Sequence, residues 1–415
     1  MSADERVVIV GAGQAGAELA TSLRQRRYAG RITMIGEEAV PPYQRPPLSK
    51  GFLLGQLERE ALYLKPAETY ARFDIELRLG TRVAAIDPES RAVVLGSGER
   101  LGYDKLALAT GGRARRLDIP GVELDRLDNL FVLRGLADAK ALREAFAPGR
   151  HLVLVGGGYV GLEIAAVAVQ LGLRATVVEA APRILARVTG PEVSDFMAAV
   201  HRAHGVELRL ASVLRTLVLD DAGRRITGVR LGSEAGSETL DADLVLLGVG
   251  LEPNVELAAS AGLAVDDGVL VDAFAQTSDP DILAIGDCAR GPNAHVDARI
   301  RLESVPNAIE QAKVAAATIL GEPRASTAVP WFWSEQYGLE LQTVGLLAGY
   351  DRCITRSPAE GCFEAFYLAE DRLIAADVIG RPADFMQARR LVAARSQVDP
   401  DRLAQVDVPL AKVAI

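Results

Sequence analysis

The sequence has few of the residues that mark disulfide-rich, metal-cluster or membrane-spanning proteins. It contains three cysteines in 415 residues, and this odd number at irregular spacing predicts neither a disulfide framework nor a zinc or iron–sulfur cage. No apolar run approaches the ~20 residues that span a bilayer. The start, MSADERVVIV, has an acidic flank and does not resemble a signal peptide. We therefore expect a cytoplasmic protein without a membrane partner.

Positive charge is also scarce. Lys and Arg total 46 against 55 Asp and Glu, which gives a formal net charge of −9. Nucleic-acid binding generally needs a basic face to neutralise phosphates, so this balance argues against that class of protein. The composition, 49% hydrophobic and 24% charged, excludes extensive disorder. At ~100–200 residues per domain, the length predicts about two to four domains.

A glycine-rich turn near the N-terminus is the first informative motif. The apolar run Val7–Val10 predicts a buried strand, and the turn GAGQAG at residues 11–16 leads from it into a helical pattern. A second apolar run, Ile32–Ile35, predicts another strand, and Glu37 lies 26 residues after the first glycine. This order of strand, glycine turn, helix, strand and acid is a dinucleotide-binding fingerprint in its full context.

Each position of this fingerprint has a physical role. Gly11 permits a tight turn, Gly13 lets backbone N–H groups approach a pyrophosphate, and Gly16 allows the helix to pack closely on the strand. The N-terminus of the helix then offers its partial positive charge to the diphosphate. Glu37 can accept hydrogen bonds from ribose hydroxyls. The first turn is therefore predicted to bind a dinucleotide.

The same pattern recurs 145 residues later. The run Leu152–Val155 precedes GGGYVG at residues 156–161, and a further strand pattern ends in Glu179, 23 residues after the first glycine of this turn. A carboxylate there binds a free 2′-hydroxyl and repels a 2′-phosphate, which favours NADH, although Arg183 leaves a phosphate contact open. Two dinucleotide sites on one chain indicate an electron relay. The second turn is expected to bind NADH through Gly156, Gly158, Gly161 and Glu179.

With both turns in view, the sequence resembles the FAD-dependent pyridine nucleotide-disulfide oxidoreductases. More narrowly, it is similar to the NADH-dependent ferredoxin reductases of bacterial cytochrome P450 and dioxygenase systems, the putidaredoxin reductase type. The resemblance covers almost the whole chain and implies an α/β fold. It implies two Rossmann-like dinucleotide-binding domains, as in glutathione reductase, and a C-terminal α+β domain. The expected domains are FAD-binding at 1–113 and 247–325, NAD-binding at 114–246, and C-terminal at 326–415.

Several further motifs carry the resemblance. They are PYQRPPLSK at 42–50, LALATGG at 106–112, LVLLGVGLEPN at 244–254, ILAIGD at 282–287, RLESVPNA at 301–308 and VPWFWSEQ at 329–336. Without the family, residues 42–50 could be a Pro-rich loop with a solvated lysine. Residues 329–336 could likewise be an aromatic core cluster. The resemblance implies cofactor contacts by Gly11, Gly13, Ala15, Gly16, Glu37, Arg45, Lys50, Val83, Thr110, Gly111, Arg134, Asp287, Val305 and Trp333 for FAD, and by Gly250 near the nicotinamide.

The resemblance also implies roles for three residues in electron transfer. Lys50 matches a lysine beside the flavin ring, and Tyr159 matches a residue that shields the flavin before nicotinamide arrives. Glu163 matches a contact to the nicotinamide amide, although it could also be a helix-face carboxylate paired elsewhere. His201 and His204, three residues apart on a predicted helix, could form a metal face. Flavin chemistry needs no metal, and we predict none.

The cysteines and the family together indicate the electron acceptor. Disulfide-reducing relatives carry redox cysteines after the first fingerprint, whereas this chain has none before Cys288. Electrons are therefore expected to pass to a [2Fe–2S] ferredoxin that serves a cytochrome P450 or ring dioxygenase, from a reductase that is a monomer or weak dimer. Rubredoxin or monodehydroascorbate are alternative acceptors, and a redox-sensing flavoprotein is an alternative class. An acidic ferredoxin would need a basic docking patch, for which the candidates are Lys65, Lys313, Arg389, Arg390 and Arg395.

Overall fold

The computed structural model describes residues 4–233 and 236–415. In chain order the strands are β1 Arg6–Val10, β2 Arg31–Ile35, β3 Ile75–Arg78, β4 Val83–Asp87, β5 Ala92–Leu95, β6 Arg100–Gly102, β7 Lys105–Leu108, β8 Gly112–Ala114, β9 Leu130–Phe131, β10 His151–Val155, β11 Arg174–Val178, β12 Glu207–Arg209, β13 Val213–Leu219, β14 Ile226–Ser233, β15 Gly236–Asp241, β16 Leu244–Leu247, β17 Leu251–Pro253, β18 Val269–Leu270, β19 Ile282–Ala284, β20 Ala289–Asn293, β21 Val296–Ile300, β22 Trp331–Gln336, β23 Leu339–Gly345, β24 Arg352–Arg356, β25 Phe363–Ala369 and β26 Arg372–Ile379. The helices are α1 Gln14–Gln25, α2 Ala67–Arg72, α3 Leu136–Ala145, α4 Tyr159–Gln170, α5 Pro191–Ala203, α6 Glu256–Ser260, α7 Val305–Ile319, α8 Pro382–Ala393 and α9 Pro400–Ala404. Short 3₁₀ turns cover Pro46–Ser49, Arg59–Leu62, Leu124–Arg126, Gly286–Cys288 and Leu410–Lys412.

The chain divides into two compact units. The first comprises Met1–Gln44, Arg59–Arg113 and Glu252–Phe332, and the second comprises Arg45–Glu58, Ala114–Leu251 and Trp333–Ile415. Most of the expected FAD domain falls in the first unit, whereas the expected NAD and C-terminal domains fall mostly in the second. The boundaries of three separate domains remain a prediction.

The first unit is built on a parallel sheet with strand order β19–β7–β1–β2–β3. Val10 at the end of β1 lies opposite Ile35 on one side and Leu108 on the other. Helices α1 and α7 pack together, with Ala20 and Ala312 fully buried, so small side chains allow close contact. After β1 the chain forms β2 and β3 on one side of it, and later forms β7 and β19 on its other side. The end of β1 is therefore a topological switch point, where open α/β sheets bind ligands.

The second unit repeats this arrangement. Its parallel sheet has the order β12–β11–β10–β16–β9, and Val155 at the end of β10 lies opposite Val178 and Leu247. All five residues of β10 are buried, as expected for a parallel strand covered on both faces. The strands and helices predicted around both glycine turns are confirmed.

A mainly antiparallel sheet near the C-terminus completes the second unit. Strands β23, β26, β25 and β24 pair antiparallel, and β22 joins beside β23. Helix α8 packs on this sheet. The sequence runs Leu339–Val344 and Cys362–Tyr367 predict strands and Phe385–Ala394 predicts a helix, and all three are confirmed. Leu341, Tyr367 and Ile379 share one apolar core with Leu162 of α4. Helix α4 thus shares an apolar core with the C-terminal sheet. Among the described residues, no helix combines the length and apolar character needed to cross a bilayer.

Candidate dinucleotide-binding sites

The three glycines of the first turn have different surroundings. Gly11 has a φ of +117°, and a Cβ built on it would lie 2.0 Å from the carbonyl oxygen of Ala109. A Cβ on Gly16 would lie 2.1 Å from the carbonyl oxygen of Gly11. At Gly13, however, no atom of the described residues lies within 4 Å of the Cβ position. The fold itself therefore requires the first and third glycines, whereas the second faces open space.

The second turn reproduces this pattern. Gly156 has a φ of +112°, and its Cβ would lie 2.3 Å from the carbonyl oxygen of Gly248. A Cβ on Gly161 would lie 2.4 Å from the carbonyl oxygen of Gly156, whereas no described atom comes within 4 Å of the Cβ position at Gly158. The two turns are therefore equivalent cradles, each open at its second glycine.

The helices that follow the turns present their N-termini to these open positions. Helix α1 begins directly after Gly13 and α4 directly after Gly158, and neither first turn contains an acidic residue. Glycine supplies no capping side chain, so the first N–H groups of each helix remain available to an anion. Helix α7 differs, since the Ser304 hydroxyl accepts a hydrogen bond from the N–H of Asn307. The chemistry at α1 and α4 fits a diphosphate.

The two predicted ribose-binding acids lie at the ends of β2 and β11. Glu37 is largely exposed, with one carboxylate oxygen 3.8 Å from the guanidinium of Arg82. Glu179 faces the second glycine turn, where its Oε2 accepts a hydrogen bond of 2.7 Å from the N–H of Gly157. Its Oε1 accepts another, also 2.7 Å, from the N–H of Ala181. Glu179 thus holds its own turn in shape and presents negative charge there.

Arg183, which the sequence left open as a phosphate contact, is used inside the protein. Its guanidinium donates hydrogen bonds to the carbonyl oxygens of Thr189 and Ala186 and to the Ser194 hydroxyl, at 2.6–2.9 Å. These bonds fix the loop between β11 and α5. A guanidinium with three internal acceptors is poorly placed to bind a 2′-phosphate, which favours NADH.

In the first unit, Thr110 and Gly111 form a compact junction with Asn254. The Thr110 hydroxyl donates to the Asn254 carbonyl oxygen at 2.8 Å, and the Asn254 side-chain amide donates to the Thr110 carbonyl oxygen at 2.9 Å. The N–H of Asn254 donates to the carbonyl oxygen of Gly111 at 3.0 Å. Asn254 lies in one of the motifs that carry the family resemblance, but its hydrogen bonds to Thr110 and Gly111 were not predicted.

Asp287 follows Gly286, which lies close to Ala15 in α1. It is half-buried in the turn Gly286–Cys288, and a Cβ on Gly286 would lie 3.1 Å from the Cβ of Ala15. The turn is fixed by a 2.7 Å hydrogen bond from the N–H of Gly286 to the side-chain oxygen of Gln311. The turn that carries Asp287 therefore lies beside the start of α1. Val83 is buried at the start of β4, and Val305 is the first residue of α7.

A buried ion pair joins Lys50 and Glu163 in the second unit. Lys50 Nζ lies 2.7 Å from Glu163 Oε2, and the side chains are 18% and 4% exposed. The hydroxyl of Ser49 donates to the same oxygen at 2.5 Å, and the hydroxyl of Ser334 donates to Oε1 at 2.6 Å. The family resemblance predicted roles for Lys50 and Glu163 separately but not for Ser49 or Ser334. The two serines lie far from Glu163 in the sequence, so no spacing pattern links them to it.

Other predicted site residues of the second unit also have internal contacts. The guanidinium of Arg45 donates to the carbonyl oxygen of Arg134 at 2.7 Å. Gly250 has a φ of +108°, and Trp333 is half-buried on β22. Burial, with the nearby carboxyl of Asp377, holds the pKa of Tyr159 well above its usual value, so its phenol stays protonated. The cofactor contacts of these residues remain predictions.

Cys288, and His201 of the candidate metal face, have internal hydrogen-bond partners. Cys288 is fully buried and donates to the carbonyl oxygen of Ile285 at 3.3 Å, and burial raises the pKa of its thiol. A buried, protonated thiol is a poor nucleophile. His201 Nε2 lies 2.7 Å from the Gln336 side-chain oxygen. The described residues contain no group of three or more His, Cys, Asp or Glu side chains placed to hold a metal ion.

Taken together, two open glycine cradles at two switch points define a protein that binds two dinucleotides. The chain belongs to the pyridine nucleotide-disulphide oxidoreductase family, whose model matches residues 5–312, and residues 331–414 match the reductase C-terminal family. Proteins of this family use FAD and a pyridine nucleotide, and the two cradles fit those groups.

Known proteins of this family are similar over the full chain. Putidaredoxin reductase CamA of Pseudomonas putida is 43% identical over 414 residues, which cover 100% of this chain and 97% of that protein. The crystal structure of the covalent putidaredoxin reductase–putidaredoxin complex matches with a TM-score of 0.95 and 43% identity, covering 99% and 98% of the two chains. The ferredoxin reductase for the CYP199A2 system of Rhodopseudomonas palustris matches with a TM-score of 0.94 and 40% identity, covering 99% and 100%.

Proposed function

We propose that the chain is an NADH-dependent ferredoxin reductase, with FAD at the first glycine turn and NADH at the second. Its electrons pass to a [2Fe–2S] ferredoxin that serves a cytochrome P450 or a ring dioxygenase. The observation that carries this proposal is the pair of equivalent cradles, each open at its second glycine and followed by an uncapped helix. The similarity to reductases of putidaredoxin and of a CYP199A2 system supports the choice of acceptor.

The residues at the second turn bind and select the nucleotide. The N–H groups at the start of α4 bind the diphosphate of NADH. Glu179 accepts hydrogen bonds from the adenosine ribose, and its charge repels the additional phosphate of NADPH. Because Glu179 is already held by the N–H groups of Gly157 and Ala181, it is pre-organised for this role.

The residues around Glu163 orient the reacting end of NADH. The carboxylate binds the nicotinamide amide, and Lys50 neutralises the charge of that carboxylate within a largely buried setting. FAD held at the first glycine turn would supply the chemistry that links a two-electron donor such as NADH to a one-electron carrier. Cys288 takes no part, since it is fully buried and burial raises the pKa of its thiol.

The protein acceptor is supported by the family and by the sequence. A cytoplasmic location is part of the proposal and is supported by three cysteines that are all free thiols. Docking on an acidic ferredoxin involves some of the basic residues Lys65, Lys313, Arg389, Arg390 and Arg395, and a monomer or weak dimer suffices for it. Such docking weakens as ionic strength rises.

Acceptor assays test the proposal. Purified holoenzyme is supplied with NADH or NADPH and with a [2Fe–2S] ferredoxin, a rubredoxin, monodehydroascorbate or ferricyanide. We expect NADH-driven reduction of the ferredoxin that slows at high salt, with NADPH much less effective. Faster reduction of rubredoxin or monodehydroascorbate would assign a different acceptor. Rapid turnover with ferricyanide but with no protein acceptor would favour a redox-sensing flavoprotein instead.

A further inference from the structure

A chain of hydrogen bonds leads away from the Lys50–Glu163 pair. Ser334 donates to Glu163 Oε1 at 2.6 Å, and the side-chain amide of Gln336 donates to the Ser334 hydroxyl oxygen at 3.0 Å. The Gln336 oxygen lies 2.7 Å from His201 Nε2, and His201 Nδ1 lies 3.1 Å from the Tyr337 hydroxyl. Ser334, Gln336 and His201 are each at most 2% exposed. The sequence analysis includes Ser334 and Gln336 only as part of the motif at 329–336, and His201 only as part of a candidate metal face.

The protons in this chain can be placed from one end to the other. An ionised carboxylate only accepts, so the single Ser334 proton points to Glu163. The Ser334 oxygen must then accept from the amide nitrogen of Gln336, which leaves the amide oxygen facing His201. His201 Nε2 therefore carries a proton and donates it, and Nδ1 accepts from Tyr337. Every donor in the chain points toward the Glu163 carboxylate, and aligned hydrogen bonds of this kind polarise one another.

The state of His201 agrees with this placement. Burial lowers the pKa of His201 to about 4, with His204 lowering it further and Gln336 opposing the change. The ring is therefore neutral at physiological pH and has one proton to give. His204 and Tyr337 are the titratable groups beside it, and Tyr337 stacks on His204 with ring centroids 3.8 Å apart.

The backbone at the far end of the chain is strained to make the last contact. Tyr337 and Gly338 form the two-residue connection between β22 and β23, with φ values of +56° and +75°. Such turns favour Gly, Asn or Asp at the first position, so a tyrosine is an unfavourable residue there. In this conformation the Tyr337 hydroxyl lies 3.1 Å from His201 Nδ1.

We propose that Ser334, Gln336 and His201 are positioning residues, which fix the Glu163 carboxylate in one orientation for the nicotinamide amide. This inference rests on the proposed function, because it assumes that Glu163 binds NADH. Lys50 and Ser49 hold only the Oε2 atom of Glu163, and the directed chain of hydrogen bonds fixes the Oε1 atom. Its effect falls on the orientation of bound NADH more than on NADH affinity.

The proton placement is tested without turnover. Nitrogen NMR of histidine side chains suits this protein, because its sequence contains only four histidines. The variant His201→Gln identifies which signal belongs to His201. In oxidised holoenzyme we expect His201 as a single neutral tautomer with its proton on Nε2, unchanged between pH 8 and about 5, as expected from the lowered pKa. A proton on Nδ1, or a charged ring at neutral pH, would overturn the inference.

The effect on NADH is tested by rapid mixing, which separates the limiting rate of flavin reduction from the dissociation constant of NADH. Loss of the charge-assisted bond to Glu163 predicts about a tenfold slower limiting rate in Ser334→Ala, with NADH affinity changed by less than about threefold. Gln336→Leu removes only neutral hydrogen bonds, to Ser334 and His201, and is expected to slow the limiting rate by a smaller factor of about three. Ser334→Thr keeps the hydroxyl and is expected to restore most of the rate. Glu335→Gln, an exposed change on the same strand, is the matched control and leaves both quantities unchanged.

These outcomes separate the inference from the proposed function. If NADH does not reduce the flavin of the unaltered protein, the proposed function fails. If NADH reduces that protein but the Ser334 and Gln336 variants react equally fast, only the inference fails. Loss of thermal stability with an unchanged limiting rate would show a purely structural role for the chain and would also overturn the inference.

Discussion

The substitution Gly158→Ala separates what the fold requires at the second turn from what the nucleotide requires. Gly158 has φ −83° and ψ 178°, a conformation that alanine adopts readily. No described atom lies within 4 Å of the new methyl position, so we expect the free energy of unfolding to change by less than about 0.5 kcal/mol. The methyl would project into the space that we assign to the diphosphate of NADH. Loss of one hydrogen bond to a charged phosphate costs about 1.5–3 kcal/mol, a roughly ten- to hundredfold weaker NADH affinity.

Two matched variants make this prediction specific. In Gly161→Ala the new Cβ would lie 2.4 Å from the Gly156 carbonyl oxygen, so α4 must shift and the fold loses about 1–3 kcal/mol of stability. In Gly13→Ala the same open-space change is made at the first turn, and the protein is expected to lose FAD. The assays are the KM for NADH with ferricyanide, FAD content by absorbance, and thermal unfolding. An unchanged KM for NADH in Gly158→Ala, or loss of FAD from that variant, would refute the assignment.

Three further predictions follow from particular side chains. Glu179→Arg is expected to raise the KM for NADH at least about tenfold, since it removes an acceptor of ribose hydrogen bonds; an equal kcat/KM before and after would contradict this. Asp287→Ala is expected to give flavin-poor protein, and full FAD occupancy would contradict its role. Burial raises the pKa of Asp377 to about 7, above the ~3.9 of an unfolded chain. The native state then holds an extra proton between these values, so its stability falls as pH rises from about 4 to 7. Asp377→Asn should remove this dependence and unfold at higher temperature than the parent at pH 8; identical pH slopes for the two proteins would contradict it.

The parts of the fold that the sequence predicts well are encoded in contiguous stretches. The turns GAGQAG and GGGYVG each connect a strand to a helix, and each lies in a stretch of about 30 residues that is typical of a βαβ unit. The different roles of Gly11, Gly13 and Gly16 follow from local geometry and are visible in the structure. The C-terminal strand and helix patterns were also predicted, because alternation and helical periodicity are local.

The surroundings of Glu163 were not predictable in the same way. Lys50 and Ser334 are 113 and 171 residues from Glu163 in sequence, and only tertiary packing brings them together. Gln336 and His201 are likewise joined across 135 residues. The internal use of Arg183 depends on a loop conformation that a motif does not specify. Polar networks between distant segments carry no periodic signal, so the sequence alone could not reveal them.

We propose that this one chain holds FAD and receives electrons from NADH for transfer to a ferredoxin. An anaerobic titration of the purified protein, followed by its visible spectrum, measures both electron transfers in one experiment. We expect a yellow protein whose flavin bands bleach on addition of NADH and return on addition of oxidised ferredoxin. A protein that stays colourless after incubation with FAD, or flavin bands that NADH leaves unchanged, would contradict it.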